Sequence, residues 1–160
     1  MVLRSRLNSK SQSSHFAAIP FAQCPAKTWE DADGNKRPGR NVFNHCQIVG
    51  RVAEALIQRY PENVRRALFR DGDPLVAAAH DIGKVSPTFY EKIRDGAKGF
   101  NQNLPKVESL PYALEVPQWG GHAGVSQLTA RHLQAPRWIP EILGQHHGFS
   151  PDHLLAGHRA

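Results

Sequence analysis

Apolar and polar positions through the middle of the chain alternate with the period of a helix. His45, Ile48, Val49, Val52, Leu56 and Tyr60 fall on one helical face, and Pro61 follows as a stop. This stripe predicts a helix over about 44–60, with His45 on the apolar face near its N-terminal end. A shorter helix is expected over about 62–70. Asp71-Gly72-Asp73-Pro74 then reads as a turn, with Asp73 as N-cap and Pro74 as the first helical residue. The helix from 74 to about 82 is nearly all apolar, so it should be buried, and Gly83 suits its C-terminal cap. Ser86-Pro87 repeats the cap-and-first-turn signal for a helix to about 94. Gly120-Gly121 opens a helix over about 122–133, with Val125, Leu128 and Leu133 as expected core positions. Residues 136–140 read as a short link. Ile139, Ile142, Leu143 and His146 then share one face of a helix that Gly148 ends, and Ser150-Pro151 caps a last short helix.

Elsewhere the periodicity fades. Residues 1–20 are polar and basic, with a serine-rich run over 9–14, and read as a flexible arm. Residues 28–40 are charged and carry Asp33-Gly34 and Pro38-Gly39, which marks a loop or hairpin. Residues 95–118 hold several glycine and proline breaks and read as an irregular loop. There is no internal repeat and no convincing strand pair. The expected fold class is all-α, a helical bundle in one domain over residues 21–160.

A chain of 160 residues, 40% of them apolar, can bury a core without disulfides. Cys24 and Cys46 form no metal-binding spacing and are expected to be free thiols. No apolar run reaches membrane-spanning length and the N-terminus lacks a signal-peptide core, so the expectation is a cytoplasmic protein with no membrane partner. Twenty Lys plus Arg against fourteen Asp plus Glu leaves a formal charge of +6. That favours a polyanionic partner such as nucleic acid, although a merely basic surface gives the same number.

The chemistry concentrates at His80-Asp81, placed at the end of an interior helix. Alone, a histidine on an apolar stripe is more often a hydrogen-bonded core residue than a metal ligand. His15, His132, His153 and His158 lie in polar or terminal stretches and are expected to face solvent. His146 and His147 would point about 100° apart on a helix, so they should rarely ligate one ion. The joint pattern is stronger. Four helices each bring an inward-facing histidine at a terminus (His45, His80, His122 and the His146-His147 pair), and one adds Asp81. Burying so many polar groups unpaired would cost several kcal/mol. A shared metal centre in the bundle core answers that cost, and a bound divalent ion can activate water or clamp phosphate oxygens. The residues thus point to a metal-dependent phosphoester hydrolase. Lys84, three residues after Asp81, faces the same cavity or is an ordinary surface lysine; spacing leaves both open.

The order His45, His80-Asp81, His122, His146-His147 resembles the HD superfamily of metal-dependent phosphohydrolases. Three local strings are similar to the HD nuclease domain of the CRISPR type I nuclease-helicase. They are His-Asp-Ile-Gly-Lys-Val-Ser-Pro-Thr-Phe (80–89), His-Ala-Gly-Val-Ser (122–126) and Gly-Gln-His-His-Gly (144–148). The resemblance covers about two thirds of the chain, residues 44–148. It implies an HD-domain bundle with the metal site in its core. His45, His80 and Asp81 would bind a first ion, and His122, His146 and His147 a second, with Asp81 bridging. Lys84 would stabilise charge on the scissile phosphate or leaving oxygen, and Ser86 would cap a helix and touch a phosphate.

The same resemblance implies two-metal hydrolysis of single-stranded DNA during CRISPR interference. The partners would be a crRNA-guided surveillance complex and a helicase domain or subunit. Histidine-rich ligation favours Mn, Ni, Co or Fe, with Zn possible and Mg less favoured. Two departures stand out. Family members usually supply a last metal-binding Asp well beyond the His-His pair, whereas thirteen residues follow His147 here and Asp152 is the sole acid among them. No helicase part is present, which suits either a stand-alone domain or a shortened one. The rival readings are a nucleotide or cyclic-nucleotide phosphohydrolase and a catalytically impaired HD binding module.

Overall fold

The strongest stripe in the sequence becomes the longest helix of the computed structural model, which describes residues 19–97, 106–107 and 120–148. α1 spans Val42–Gln58. It starts two residues before the stripe suggests because Asn41 caps it, its side-chain oxygen accepting from Asn44 N at 2.8 Å. Ahead of it, β1 (Thr28–Glu30) and β2 (Lys36–Pro38) pair antiparallel, so the 28–40 segment is a hairpin and supplies a short strand pair. Asp31 closes its turn, accepting from Asn35 N at 2.8 Å, Asp33 N at 3.1 Å and Arg37 Nε at 2.9 Å. Cys24, Ala26, Val42 and Tyr90 form a small buried cluster where the hairpin meets α1, and both cysteines are free thiols.

α2 covers Glu62–Leu68 and stops short of residue 70. α3 covers Asp73–Ala79 and departs from expectation in three ways. Its N-cap is Gly72 at φ +100°, while Asp73 is already helical and accepts from Arg70 N at 3.0 Å. The helix is not buried: Leu75 is 71% exposed. It also ends three residues early, because the chain turns at His80 into a 3-10 turn, Ile82–Val85. Gly83 lies inside that turn and is no left-handed cap. A Cβ at position 83 would collide with the carbonyl oxygen of His122 and come within 2.7 Å of Ser126 N. Glycine stands there to let two backbones touch.

α4 (Pro87–Gly96) starts as expected, with Ser86 Oγ accepting from Phe89 N at 3.2 Å. It continues past residue 94, so Asp95 and Gly96 belong to it; most of the remaining expected loop lies outside the described residues. α5 covers Gly121–His132 and α6 covers Trp138–Gln145. Pro140 sits in the first turn of α6, not in a link; first-turn amides have no intrahelical partner, so proline loses nothing there.

The expected core faces need correction. α5 buries Ala123, Gly124, Ser126, Gln127 and Ala130, whereas Leu133 is 68% exposed. Ile48, Val52 and Leu56 of α1, Tyr60 just beyond it and Ile142 of α6 are exposed as well. The reason is close approach of backbones at small residues. Gly50 of α1 meets Ala78 of α3, where an added Cβ would lie 3.0 Å from the Ala78 Cβ, and Gly144 of α6 packs on the Gln127 side chain. Helices that meet on their small side chains turn bulkier ones toward the flanks. The outcome is an all-α domain with one small hairpin. Among the described residues no helix is long and apolar enough to cross a membrane. All but the last two residues of the arm expected over 1–20, and the helix expected after Ser150-Pro151, lie outside the described residues.

Candidate metal centre

Helix ends converge on one carboxylate. His45 lies in the first turn of α1, His80 is the C-cap of α3 and Asp81 follows it. His122 is in the first turn of α5, His146 is the C-cap of α6 and His147 comes next. Asp81 is only 3% exposed. Its Oδ2 lies 2.9 Å from His45 Nε2, 3.0 Å from His80 Nε2 and 2.6 Å from Lys84 Nζ. Its Oδ1 lies 3.3 Å from His122 Nε2 and 3.5 Å from His146 Nε2. His147 Nε2 is 2.9 Å from His122 Nε2. The geometry therefore gathers all six residues expected to ligate metal, and Lys84 faces the same cavity.

Two of the imidazoles have their tautomers fixed by the backbone. His80 Nδ1 is 2.8 Å from Ala77 O, and His146 Nδ1 is 2.7 Å from Leu143 O. A carbonyl oxygen only accepts, so each Nδ1 carries the hydrogen and, in the neutral ring, each Nε2 presents a lone pair. Those lone pairs face a carboxylate, which when ionised is also only an acceptor. The buried His146 Nε2 has no hydrogen-bond partner among the described residues. Acceptor facing acceptor in a buried site calls for a cation between them, either a proton on the ring or a metal ion. Protons on every ring would crowd like charges, since neighbouring ring centroids lie 4.2 to 5.6 Å apart.

The donor set fits a metal on these grounds. The ligand atoms form two groups, His45-His80-Asp81 and His122-His146-His147, with atoms in each group within 4.8 Å of one another. Nδ1–H to backbone carbonyl with Nε2 turned inward is the orientation that prepares a histidine for ligation. His146 and His147 share a group, contrary to the 100° expectation, because α6 has ended at Gln145 before them.

Electrostatics agree with this geometry. Burial lowers the pKa of His45 against the pull of Asp81, and burial followed by the neighbouring imidazoles lowers that of His147. Both rings are thereby kept neutral and able to ligate. His80 is shifted up, chiefly by its hydrogen bond to Asp81. Burial alone would raise the Asp81 carboxyl, but His122, His146, His80 and Lys84 outweigh it and hold the group well below the usual carboxylate range. Asp81 is thus a fixed anion between two clusters of nitrogen donors.

A protein-family model described as "Cas3, HD domain" matches residues 26–160. The chain belongs to this family. No curated protein and no solved structure matches it. Family membership places the chain among the HD-type metal-dependent phosphohydrolases of CRISPR context, whose domains bind divalent metals and act on nucleic acid.

Residues that the sequence reading did not single out hold this HD centre in place. Ser126 is wholly buried, and its Oγ accepts from Gly83 N at 2.9 Å and lies 2.9 Å from both the His80 and His122 carbonyl oxygens. One hydroxyl so links the backbones of two histidine-bearing segments. Gln127 Nε2 donates to Glu141 at 3.2 Å, and Arg131 pairs with the same carboxylate at 2.7 Å, which ties α5 to α6. The Phe89 ring packs edge-on against His122 with centroids 5.2 Å apart. The available signal was the small residues Ala123, Gly124 and Ser126, which permit close approach. Ser86 is buried as the cap of α4, and His132 faces solvent as expected. His15, His153, His158 and Asp152 lie outside the described residues.

Proposed function

We propose that residues 21–160 act as an endonuclease on single-stranded DNA in CRISPR interference, with two metal ions held by the two groups around Asp81. The reading includes a cytoplasmic setting, recruitment by a crRNA-guided surveillance complex, and work alongside a helicase domain or subunit. The observation that carries it is the split of the Asp81 carboxylate, with Oδ2 toward His45 and His80 and Oδ1 toward His122 and His146. A carboxylate shared between two nitrogen-rich donor groups would suit a pair of metal ions acting on a phosphodiester.

In this assignment His45, His80 and Asp81 hold one ion, and His122, His146 and His147 hold the other. The ions supply Lewis-acid stabilisation of phosphate charge and a means of activating water near neutral pH. The nitrogen-rich donor set favours Mn, Ni, Co or Fe, tolerates Zn and disfavours Mg. Lys84 brings a positive charge to the same cavity; its ammonium rests on Asp81 Oδ2 and is within side-chain reach of a phosphate oxygen docked there. Neutralising charge as it develops on the leaving oxygen is its role. Ser86 serves the site indirectly, since its hydroxyl fixes the start of α4 and so the position of Phe89. His147 is exposed, which marks the side from which a strand enters.

The test is cleavage of circular single-stranded DNA with Mn, Ni, Co, Fe, Zn, Mg or EDTA. Cutting with transition metals is expected, with loss in EDTA and in His80→Ala. Lys84→Ala should slow cleavage more than it weakens metal uptake. Hydrolysis of free nucleotides with no strand cleavage would replace the nuclease reading by the nucleotide phosphohydrolase. Metal content far below one ion per chain with no hydrolysis of either substrate would favour a binding module.

A further inference from the structure

The two ligand groups around Asp81 are held in different ways. In the first, His80 and Asp81 are neighbours in sequence, and His45 Nε2 lies 2.9 Å from Asp81 Oδ2. In the second, His122 and His146 approach Asp81 Oδ1 at the longer separations of 3.3 and 3.5 Å. His122 also lacks the backbone carbonyl that anchors the rings of His80 and His146, among the described residues. Its place therefore depends on where α5 begins relative to the turn that carries Asp81. Ser126 governs that relation. Its wholly buried hydroxyl accepts from Gly83 N and lies near the carbonyl oxygens of His80 and His122, each at 2.9 Å. The contact with His122 O is the local back-bond that a helical serine makes across one turn. The contacts with Gly83 N and His80 O cross 43 and 46 positions of sequence, and they grip the chain on either side of Asp81.

We propose that Ser126 is a positioning residue that couples the two ligand groups, keeping His122 in register with Asp81 so that one carboxylate serves two ions. The proposal rests on the two-metal reading above and deepens it. A hydroxyl has one hydrogen and two lone pairs, so this one can accept from Gly83 while its hydrogen serves a carbonyl. Without it, the buried Gly83 N–H loses its acceptor and the His80 carbonyl loses this donor. The Asp81 turn and the first turn of α5 can then shift against each other. The first group keeps its own ties to Asp81, so the second group bears the loss. Ser126 touches neither ion nor substrate in this role.

The experiment titrates Mn into the metal-free full chain and into Ser126→Ala and Ser126→Cys, with calorimetry for affinity and electron paramagnetic resonance for coupling between ions. The parent should bind two ions and show the exchange-broadened spectrum of neighbouring Mn. Ser126→Ala should weaken one ion by about 10–100-fold, the range for residues that orient ligands, and leave the other within a few-fold. The weakened ion should be the one that His122→Ala removes. At Mn levels that saturate the parent, the coupled signal should give way to the hyperfine pattern of isolated ions. Ser126→Cys, whose thiol is a weak donor and acceptor, should fall between, and it carries the comparison alone if the Ala variant does not fold. Equal weakening of both ions would make Ser126 a packing residue only and overturn the proposal. Two ions bound with unchanged affinity and coupling would overturn it as well. A parent that takes up a single ion would sink the two-metal reading itself, a failure visible before any variant is compared.

Discussion

The centre around Asp81 and the outer flank of the helices obey opposite rules. At the centre, polar groups other than the exposed His147 are buried or half-buried, and almost every one is fixed by a backbone atom or a neighbouring side chain. On the flank, Leu75, Leu133, Ile142 and the outer stripe of α1 are apolar and exposed. A buried carboxylate with unpartnered neighbours would be costly, so geometry there is tightly specified. An exposed leucine carries little penalty, and position there is loosely specified. Hydrophobicity is therefore a poor guide to which face of these helices is inward, while the chemistry of the histidines is a good one.

The strongest way to break this contrast is to remove its anchor. Asp81→Ala should lower metal uptake and cleavage by more than about 100-fold, a loss beyond that expected for an outer-sphere partner. Helicity should stay largely intact, because Asp81 lies between helices and not within one. Metal content by elemental analysis and far-UV circular dichroism on the same sample would check both halves. Retained metal with lost activity would reassign Asp81 from ligand to general base.

Gly83→Ala tests whether packing or ligation fixes the centre. The new methyl would press on the His122 carbonyl, and overpacking of that kind costs about 1–3 kcal/mol. A fall in Tm of several degrees is expected, with metal affinity weakened because His80, Asp81 and His122 all lie at that contact. An unchanged Tm would mean that the 3-10 turn and α5 are not in such close register.

The candidate metal residues are legible in the sequence because their order along the chain is unusual and their residue types have few other reasons to recur at helix ends. The helical pattern puts His45, His80, His122 and His146 each near a terminus, and the structure brings them within hydrogen-bond or ion-pair distance of one carboxylate. Ser86 was legible as a cap for the same kind of local reason. What escaped was long-range. Ser126 matters because Gly83 comes to it across 43 positions of sequence, and no local pattern carries that distance. The role of Gly83 was misread because a glycine after a helix most often marks a left-handed cap, whereas here it admits a neighbouring backbone. The inward face of α5 was misread because leucine and valine outweigh alanine and serine in a hydrophobicity count. Helix packing selected the small residues instead.

The flank supplies the reverse test. Val52→Ser and Leu56→Gln, at positions 52% and 56% exposed, should each change stability by no more than about 0.5 kcal/mol and leave metal uptake intact. Denaturant unfolding of both variants would check this. A loss above about 1.5 kcal/mol in either would show that another part of the chain or a partner covers that face, and the contrast would then narrow.

The smallest effect is expected outside the centre, in the hairpin turn. Asp31 is held below the usual aspartate range, first by Arg37 and then by Asn35 N, with burial opposing only in part. Its folded pKa is therefore lower than its unfolded value of about 3.9. The carboxylate contributes its stabilisation fully above that unfolded value and loses it as pH falls through the folded one, so the window lies below about pH 4. NMR titration should show Asp31 as a low-titrating carboxyl, moving toward the ordinary value in Arg37→Gln. Metal uptake by that variant at neutral pH should match the parent, since neither Arg37 nor Asp31 belongs to the two groups of ligand atoms around Asp81. A coupled loss of metal would mean that the hairpin helps set the position of α1, and with it His45.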